Sequence, residues 1–174
     1  VHSVELVLDD RTDAAIRDEW AALLDAGLPS QGRHRGASNR PHVTVALADT
    51  LVPGDLSRLA AVAADLPLPV TVGGLLIFGG RRFVLARLAV PGPEILRLQG
   101  AMLASLAEPA DPHGHFSAGR WTPHITLARR LSADEVASAV QALGEVAPFD
   151  GTLTAARRWD IMAKQEHWID PEGA

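Results

Sequence analysis

The chain has 174 residues, 47% of them hydrophobic and 21% charged, with no cysteine and a formal net charge of −5. That length suits one domain with a real core, and the composition excludes a disordered tail, a disulfide framework or thiolate metal site, and a general nucleic-acid coat, which needs a broad basic surface. No apolar run approaches the roughly 20 residues of a membrane span, and residues 1–6 lack the basic start and apolar stretch of a secretory signal, so a cytoplasmic location is expected.

In chain order, residues 4–8 alternate and predict a strand. A helical pattern over 12–26 follows, carried by Ile16, Trp20, Leu23 and Leu24 and stopped at Gly27-Leu28-Pro29. A polar loop, 30–40, leads through Pro41 to a strand over 42–47. A second helix is expected over 56–66, entered through Pro53-Gly54-Asp55 and ended by Pro67 and Pro69, before a strand over 70–78. Gly79-Gly80 reads as a tight hairpin turn. The second half repeats the order: strand 83–90, helix 94–106, a loop over 108–122 holding Pro112, Gly114 and Gly119, and strand 124–128. Ser132 and Glu135 then form a capping box opening a helix to about residue 143, and a last strand covers 151–162.

The halves superpose at one offset, because His124 follows His42 by 82 residues. The first helix then falls on 94–108, and the strand 70–78 falls on 152–160. The second helix fits less well, since 56–66 maps onto 138–148. A strand-helix-strand-helix-strand unit occurring twice predicts an internally duplicated chain with pseudo-two-fold symmetry. Neither unit can easily bury both sheet faces alone, so the expected fold is α+β and bilobal, with antiparallel sheets facing a central cleft and helices outside. The whole chain is read as a single domain, its lobe repeats spanning about 3–78 and 83–162.

The offset aligns Pro41-His42-Val43-Thr44 with Pro123-His124-Ile125-Thr126. Within a strand, residues i and i+2 share a face, so His42 points with Thr44, and His124 with Thr126. Two imidazoles and two hydroxyls facing one small volume suit a phosphate group. The hydroxyls can donate to phosphate oxygens, while one neutral and one protonated imidazole can serve as base and acid. A given His would carry both flanks by chance with probability about 0.003, yet two of the seven do so at equivalent places. The rival is structural, two buried His–Thr pairs inherited together, but burying such pairs without a role costs stability.

Other motifs are weaker. His113-x-His115, with Glu108 and Asp111 nearby, is a two-ligand fragment short of the three or four donors zinc requires, so no metal is expected. Ser117-Ala118-Gly119 lacks the strand-turn-helix setting of a nucleophile elbow. Gly73-Gly74 and Gly79-Gly80 lack that of a phosphate loop. Fifteen of the sixteen basic residues are Arg, which a GC-rich genome explains, although clusters such as Arg33, Arg35 and Arg40, and Arg129 and Arg130, flank the two motifs.

The paired motifs, together with the stretch Gly119-Arg120-Trp121-Thr122-Pro123-His124-Ile125-Thr126-Leu127-Ala128, resemble the two-histidine (2H) phosphoesterase superfamily. The nearer likeness is to its bacterial branch of 2′-5′ RNA ligase-like proteins and RNA 2′,3′-cyclic phosphodiesterases, and it covers essentially the whole chain. The resemblance implies a bilobal enzyme, each lobe supplying one His-x-Thr to a central cleft. It implies His42 and His124 as catalytic residues, Thr44 and Thr126 as phosphate ligands, and Arg129 or Arg130 as a further phosphate contact. The chain has no tyrosine, so base stacking would fall to Phe78, Phe116 or Trp121. The expected reaction is hydrolysis of a 2′,3′-cyclic phosphodiester on an RNA terminus or cyclic nucleotide, with reversible 2′-5′ ligation an implied activity. No cofactor, metal or membrane partner is expected, and the protein is taken as a monomer. Two rivals stand beside this: the same site acting on ADP-ribose cyclic phosphate, and a non-catalytic nucleotide- or RNA-binding module. The residues leave open which histidine is acid and which is base.

Overall fold

The computed structural model describes residues 1–111 and 113–170; Pro112, expected within the second loop, lies outside them. Six of the seven residues of β1 (His2–Leu8) are buried. Asp9 then caps α1 (Asp10–Asp25), accepting from the Thr12 amide at 3.0 Å, and Ile16, Trp20 and Leu23 turn inward. A 3₁₀ turn at Gln31–Arg33 interrupts the loop before β2 (His42–Ala48). Next come α2 (Pro53–Ala63), β3 (Leu68–Phe78), β4 (Phe83–Val90) and α3 (Pro93–Ala104). The chain ends with β5 (His124–Leu131), α4 (Ala133–Leu143), β6 (Phe149–Asp160) and β7 (Gln165–Ile169).

All the pairings are antiparallel. β1 lies between β2 and β6, and β4 lies between β5 and β3. β3 and β6 also pair with each other, from Leu68 opposite Leu153 to Val72 opposite Phe149, and β7 flanks the outer part of β6. Among the described residues, β2 and β5 meet at one pair, Val43 opposite Ile125. The seven strands make one antiparallel sheet closed on itself by the β1–β6 pairing.

Val43 and Ile125 are 82 residues apart, and the neighbours of β1 correspond at that offset to those of β4. The pairing pattern of the first half therefore recurs in the second. The spatial lobes are not the sequence halves, however. β6 extends the side of the closed sheet that holds β1 and β2, while β3 extends the side that holds β4 and β5. The helices cross over too: α1 packs on α4, β5 and β6, and α3 packs on α2, β2 and β3.

Two expectations shift. α2 begins at Pro53, three residues before the expected start, because proline suits the first helical turn and Asp55 accepts from the Val52 amide at 3.2 Å. The earlier start brings α2 onto 135–145 at the offset, close to the observed α4. The last strand ends at Asp160, and a turn with Lys164 at φ 54° leads into β7, which the sequence reading did not anticipate.

Candidate active site

Both motifs are set by the lone β2–β5 bridge. Opposed residues of an antiparallel pair share a face, and Val43 and Ile125 are almost fully buried. Alternation puts His42, Thr44, His124 and Thr126 on the other face, with His42 beside Thr126 and Thr44 beside His124. Pro41 and Pro123, both buried, precede the strands; proline has no amide to donate to a ladder, so it suits a strand start.

The two rings are held alike. His42 Nδ1 lies 2.8 Å from the Arg40 carbonyl oxygen, and His124 Nδ1 lies 2.8 Å from that of Thr122. A carbonyl only accepts, so each Nδ1 carries a proton, and in the neutral rings the lone pair is at Nε2. Neither threonine hydroxyl is bonded to another group among the described residues, although the Thr126 side chain is itself buried. The strand carbonyls are secured from outside: Trp20 Nε1 donates to Thr126 O at 3.0 Å, and Trp121 Nε1 donates to Thr44 O at 3.1 Å.

Beyond the bridge the site is asymmetric. Glu5, 4% exposed, sits opposite Thr44 in the β1–β2 register, and its Oε1 is 3.6 Å from His42 Nε2. Oε1 accepts from Ser3 Oγ at 2.5 Å, and Oε2 accepts from Arg157 Nε at 2.9 Å. Arg157 is anchored in turn on the Ser38 carbonyl at 2.7 Å and on Glu166 at 2.8 Å. Around His124 the neighbour is aromatic: the Phe78 ring centroid is 4.6 Å from that of the imidazole.

Burial is the main influence on both imidazoles and pushes both below the usual histidine range. For His42 the Glu5 carboxylate and the Arg40 carbonyl oppose this, while Arg157 and Arg129 reinforce it. For His124 the Thr122 carbonyl opposes it, and Arg129 and His42 reinforce it.

Of the two arginines expected near the phosphate, Arg129 acts electrostatically on both histidines. Arg130 sits at φ 64° in a bulge, where β5 carries an extra residue against β4. Among the candidate stacking residues, Phe78 lies against His124, whereas Trp121 packs on the core and donates its indole proton to Thr44. Phe116 is pinned through its backbone, its amide to Asp111 and its carbonyl to Gln99. His113 and His115 stand 5.4 Å apart, ring to ring. No group of three or more potential metal ligands forms among the described residues.

A recess of about 590 Å³ opens beside His42, and Asn39, Trp159, Arg35 and Lys164 contribute to its wall. Glu5 and Arg157 also line it, and sequence reasoning assigned neither to the site. The available signal was an acid within the apolar run Val4-Glu5-Leu6-Val7-Leu8, since such a residue is rarely buried unless paired.

Residues 12–164 match the family model of the 2′-5′ RNA ligase superfamily. No curated protein sequence matches the chain. Among solved structures, a phosphoesterase is similar at 17% identity and a TM-score of 0.56, covering 96% of this chain and 92% of that one. LigT of E. coli, complexed with 3′-AMP, gives 15% identity and 0.55, with 96% and 92% covered. Usb1 of Kluyveromyces marxianus, with uridine monophosphate, gives 14% and 0.57, with 97% of each chain covered. At these identities the likeness is one of fold.

Proposed function

The chain belongs to the 2′-5′ RNA ligase superfamily, and from that premise we propose that it hydrolyses a 2′,3′-cyclic phosphodiester at an RNA end or on a nucleotide by paired-histidine acid–base catalysis. The observation that carries this reading is the single Val43–Ile125 bridge, which turns His42, Thr44, His124 and Thr126 to one face with both Nε2 atoms away from their carbonyl anchors. In the reaction one imidazole takes a proton from water as its oxygen attacks phosphorus. The other gives a proton to the ribose oxygen as its bond to phosphorus breaks. Thr44 and Thr126 donate hydrogen bonds to the non-bridging oxygens, where charge accumulates in the transition state, and Arg129 adds positive charge nearby.

The recess beside His42 supports a nucleotide substrate, because Trp159 offers an aromatic wall for a base and Arg35 and Lys164 offer cations for a phosphate. These donors require no metal.

The test is a product assay with 2′,3′-cyclic nucleotides, ADP-ribose cyclic phosphate and cyclic-phosphate-ended RNA, each with and without excess EDTA. Opening of a ribose cyclic phosphate that survives EDTA is expected. Turnover of ADP-ribose cyclic phosphate alone would move the assignment to that substrate. Tight binding of all three without turnover would leave a binding module, and activity restored only by added Zn²⁺ or Mg²⁺ would sink the metal-free chemistry.

A further inference from the structure

The two histidines are anchored identically, yet a reaction that needs one acid and one base must tell them apart. The strand registers supply the difference. Opposite Thr44 on β1 stands Glu5, whereas opposite Thr126 on β4 stands Ala86. A buried carboxylate therefore faces one imidazole, and the ring of Phe78 faces the other.

We propose that Glu5 is the positioning residue that makes His42 the proton donor and leaves His124 the proton acceptor, an assignment that rests on the hydrolytic reading above. At 3.6 Å from Nε2, Glu5 Oε1 is beyond hydrogen-bond range. It favours the imidazolium through space without taking the proton that the leaving oxygen needs. Ser3 and Arg157 occupy the carboxylate's oxygens and hold it in place. The charged groups acting on His42 are Glu5 from β1, Arg157 from β6 and Arg129 from β5; His124 of β5 is the titratable partner it acts on, and His34, Arg35 and Lys164 share the recess that His42 lines. Glu5 has the strongest effect of these charges, and it is the one that favours protonation.

The step balances. Water loses a proton to His124 Nε2 as its oxygen bonds to phosphorus. The phosphorus–ribose oxygen bond breaks with its electron pair on oxygen, and that oxygen takes the proton from His42 Nε2. Proton exchange with solvent then restores both rings.

The experiment is an NMR titration of the histidine ring protons in the wild type, Glu5→Gln and Glu5→Asp, which reads the effect without turnover. In the wild type His42 should titrate at higher pH than His124. In Glu5→Gln the His42 midpoint should fall by half a unit or more while that of His124 stays in place. Glu5→Asp keeps the charge for Arg157 but draws it back by one methylene, so it should give a smaller fall and secures the test if Glu5→Gln does not fold. A wild-type His124 titrating above His42, or a His42 midpoint unmoved in the folded variant, would overturn the proposal.

A kinetic arm uses a 2′-deoxynucleoside 3′-(p-nitrophenyl phosphate), which has no 2′-hydroxyl to attack phosphorus, so water is the nucleophile, and whose leaving group needs no protonation. His42→Ala should approach wild-type rates to within several-fold on this ester, while His124→Ala stays at least a hundredfold down; the reverse pattern would overturn the assignment. Failure of the wild type to turn over any phosphodiester would count against the hydrolytic reading itself, while the titration would still decide the role of Glu5.

Discussion

Trp20 on α1 donates its indole proton to the main-chain carbonyl of Thr126 across 3.0 Å. Trp121 does the same for Thr44 from a loop rather than a helix. Where β2 and β5 diverge from their single bridge, a strand carbonyl has no ladder partner there, and a buried one must find a donor elsewhere. Trp20→Phe keeps the aromatic bulk but removes the donor, so it should cost about 1–3 kcal/mol, seen as a melting temperature lower by roughly 2–4 °C per kcal/mol. Trp121→Phe, at a half-buried site, should cost less. Thermal denaturation of both checks the order, and an unchanged melting point for Trp20→Phe would remove the indole from the support of the motif.

His42→Ala and His124→Ala should each lower kcat by about 10²–10⁴-fold on a cyclic nucleotide, the range of positioned acid–base groups. The double variant should fall far short of the product of the two, because the pair acts as a unit. Circular dichroism should show all three folded. Near-full turnover by either single variant would refute the pairing.

Thr44→Val and Thr126→Val preserve the β-branched shape that the strands favour and remove only a donor. Losing a hydrogen bond to a charged group costs about 1.5–3 kcal/mol, so kcat/KM should fall roughly 10- to 150-fold. Unaltered kcat/KM in both would return the hydroxyls to a packing role.

The pH profile of kcat/KM should be a bell, since one imidazole must be neutral while its partner is charged. Burial lowers both rings in the free enzyme, which moves the bell to the acid side of about 6.5. A bound phosphate favours the imidazolium, so the profile of kcat should lie at higher pH than that of kcat/KM. The limbs belong to the interacting pair. A profile flat from about pH 5 to 9, with chemistry rate-limiting, would exclude paired imidazole catalysis.

The same shifts bear on stability. A histidine whose folded pKa lies below its unfolded value binds fewer protons when folded. Its stabilisation is complete above about 6.5 and is lost as the pH falls through the folded pKa. Glu19, pushed up mainly by burial, acts in the opposite direction. Denaturant melts from pH 7.5 to 5.5 should therefore show falling stability, with a shallower fall in His42→Asn and His124→Asn. An equal slope in all three would disconnect the rings from acid destabilisation.

Most of the element order, the pairing pattern that recurs at one offset and the placing of the two His-x-Thr pairs on strands were legible because they rest on local signals: period-2 and period-3.6 patterns, proline stops and a motif recurring at that offset. What sequence could not supply was register. Glu5 belongs to the site because a shift between Val4 and Glu5 in the β1–β2 ladder sets it opposite Thr44, and strand pairing across 39 residues leaves no local mark. Arg157 comes from still farther, beside Glu5 only because β6 pairs with β1. The extra residue in β5 that separates the settings of Arg129 and Arg130 is likewise a property of two strands together. β7 was missed for another reason: Gln165-Glu166-His167-Trp168-Ile169 has one buried residue, too little apolar alternation for an edge strand to be read.

The exchange of β3 and β6 between the two sides of the closed sheet governs how the molecule holds together under cleavage. A cut in the Gly79–Arg82 connection would not release two independent bodies. The front piece would keep β3 lodged beside β4, the rear piece would keep β6 lodged beside β1, and α1 and α3 would each still be clasped by the other piece. Neither fragment alone could cover the strand edge it had lent its partner, so the pieces would be obligate complements, reassembling together and insoluble apart.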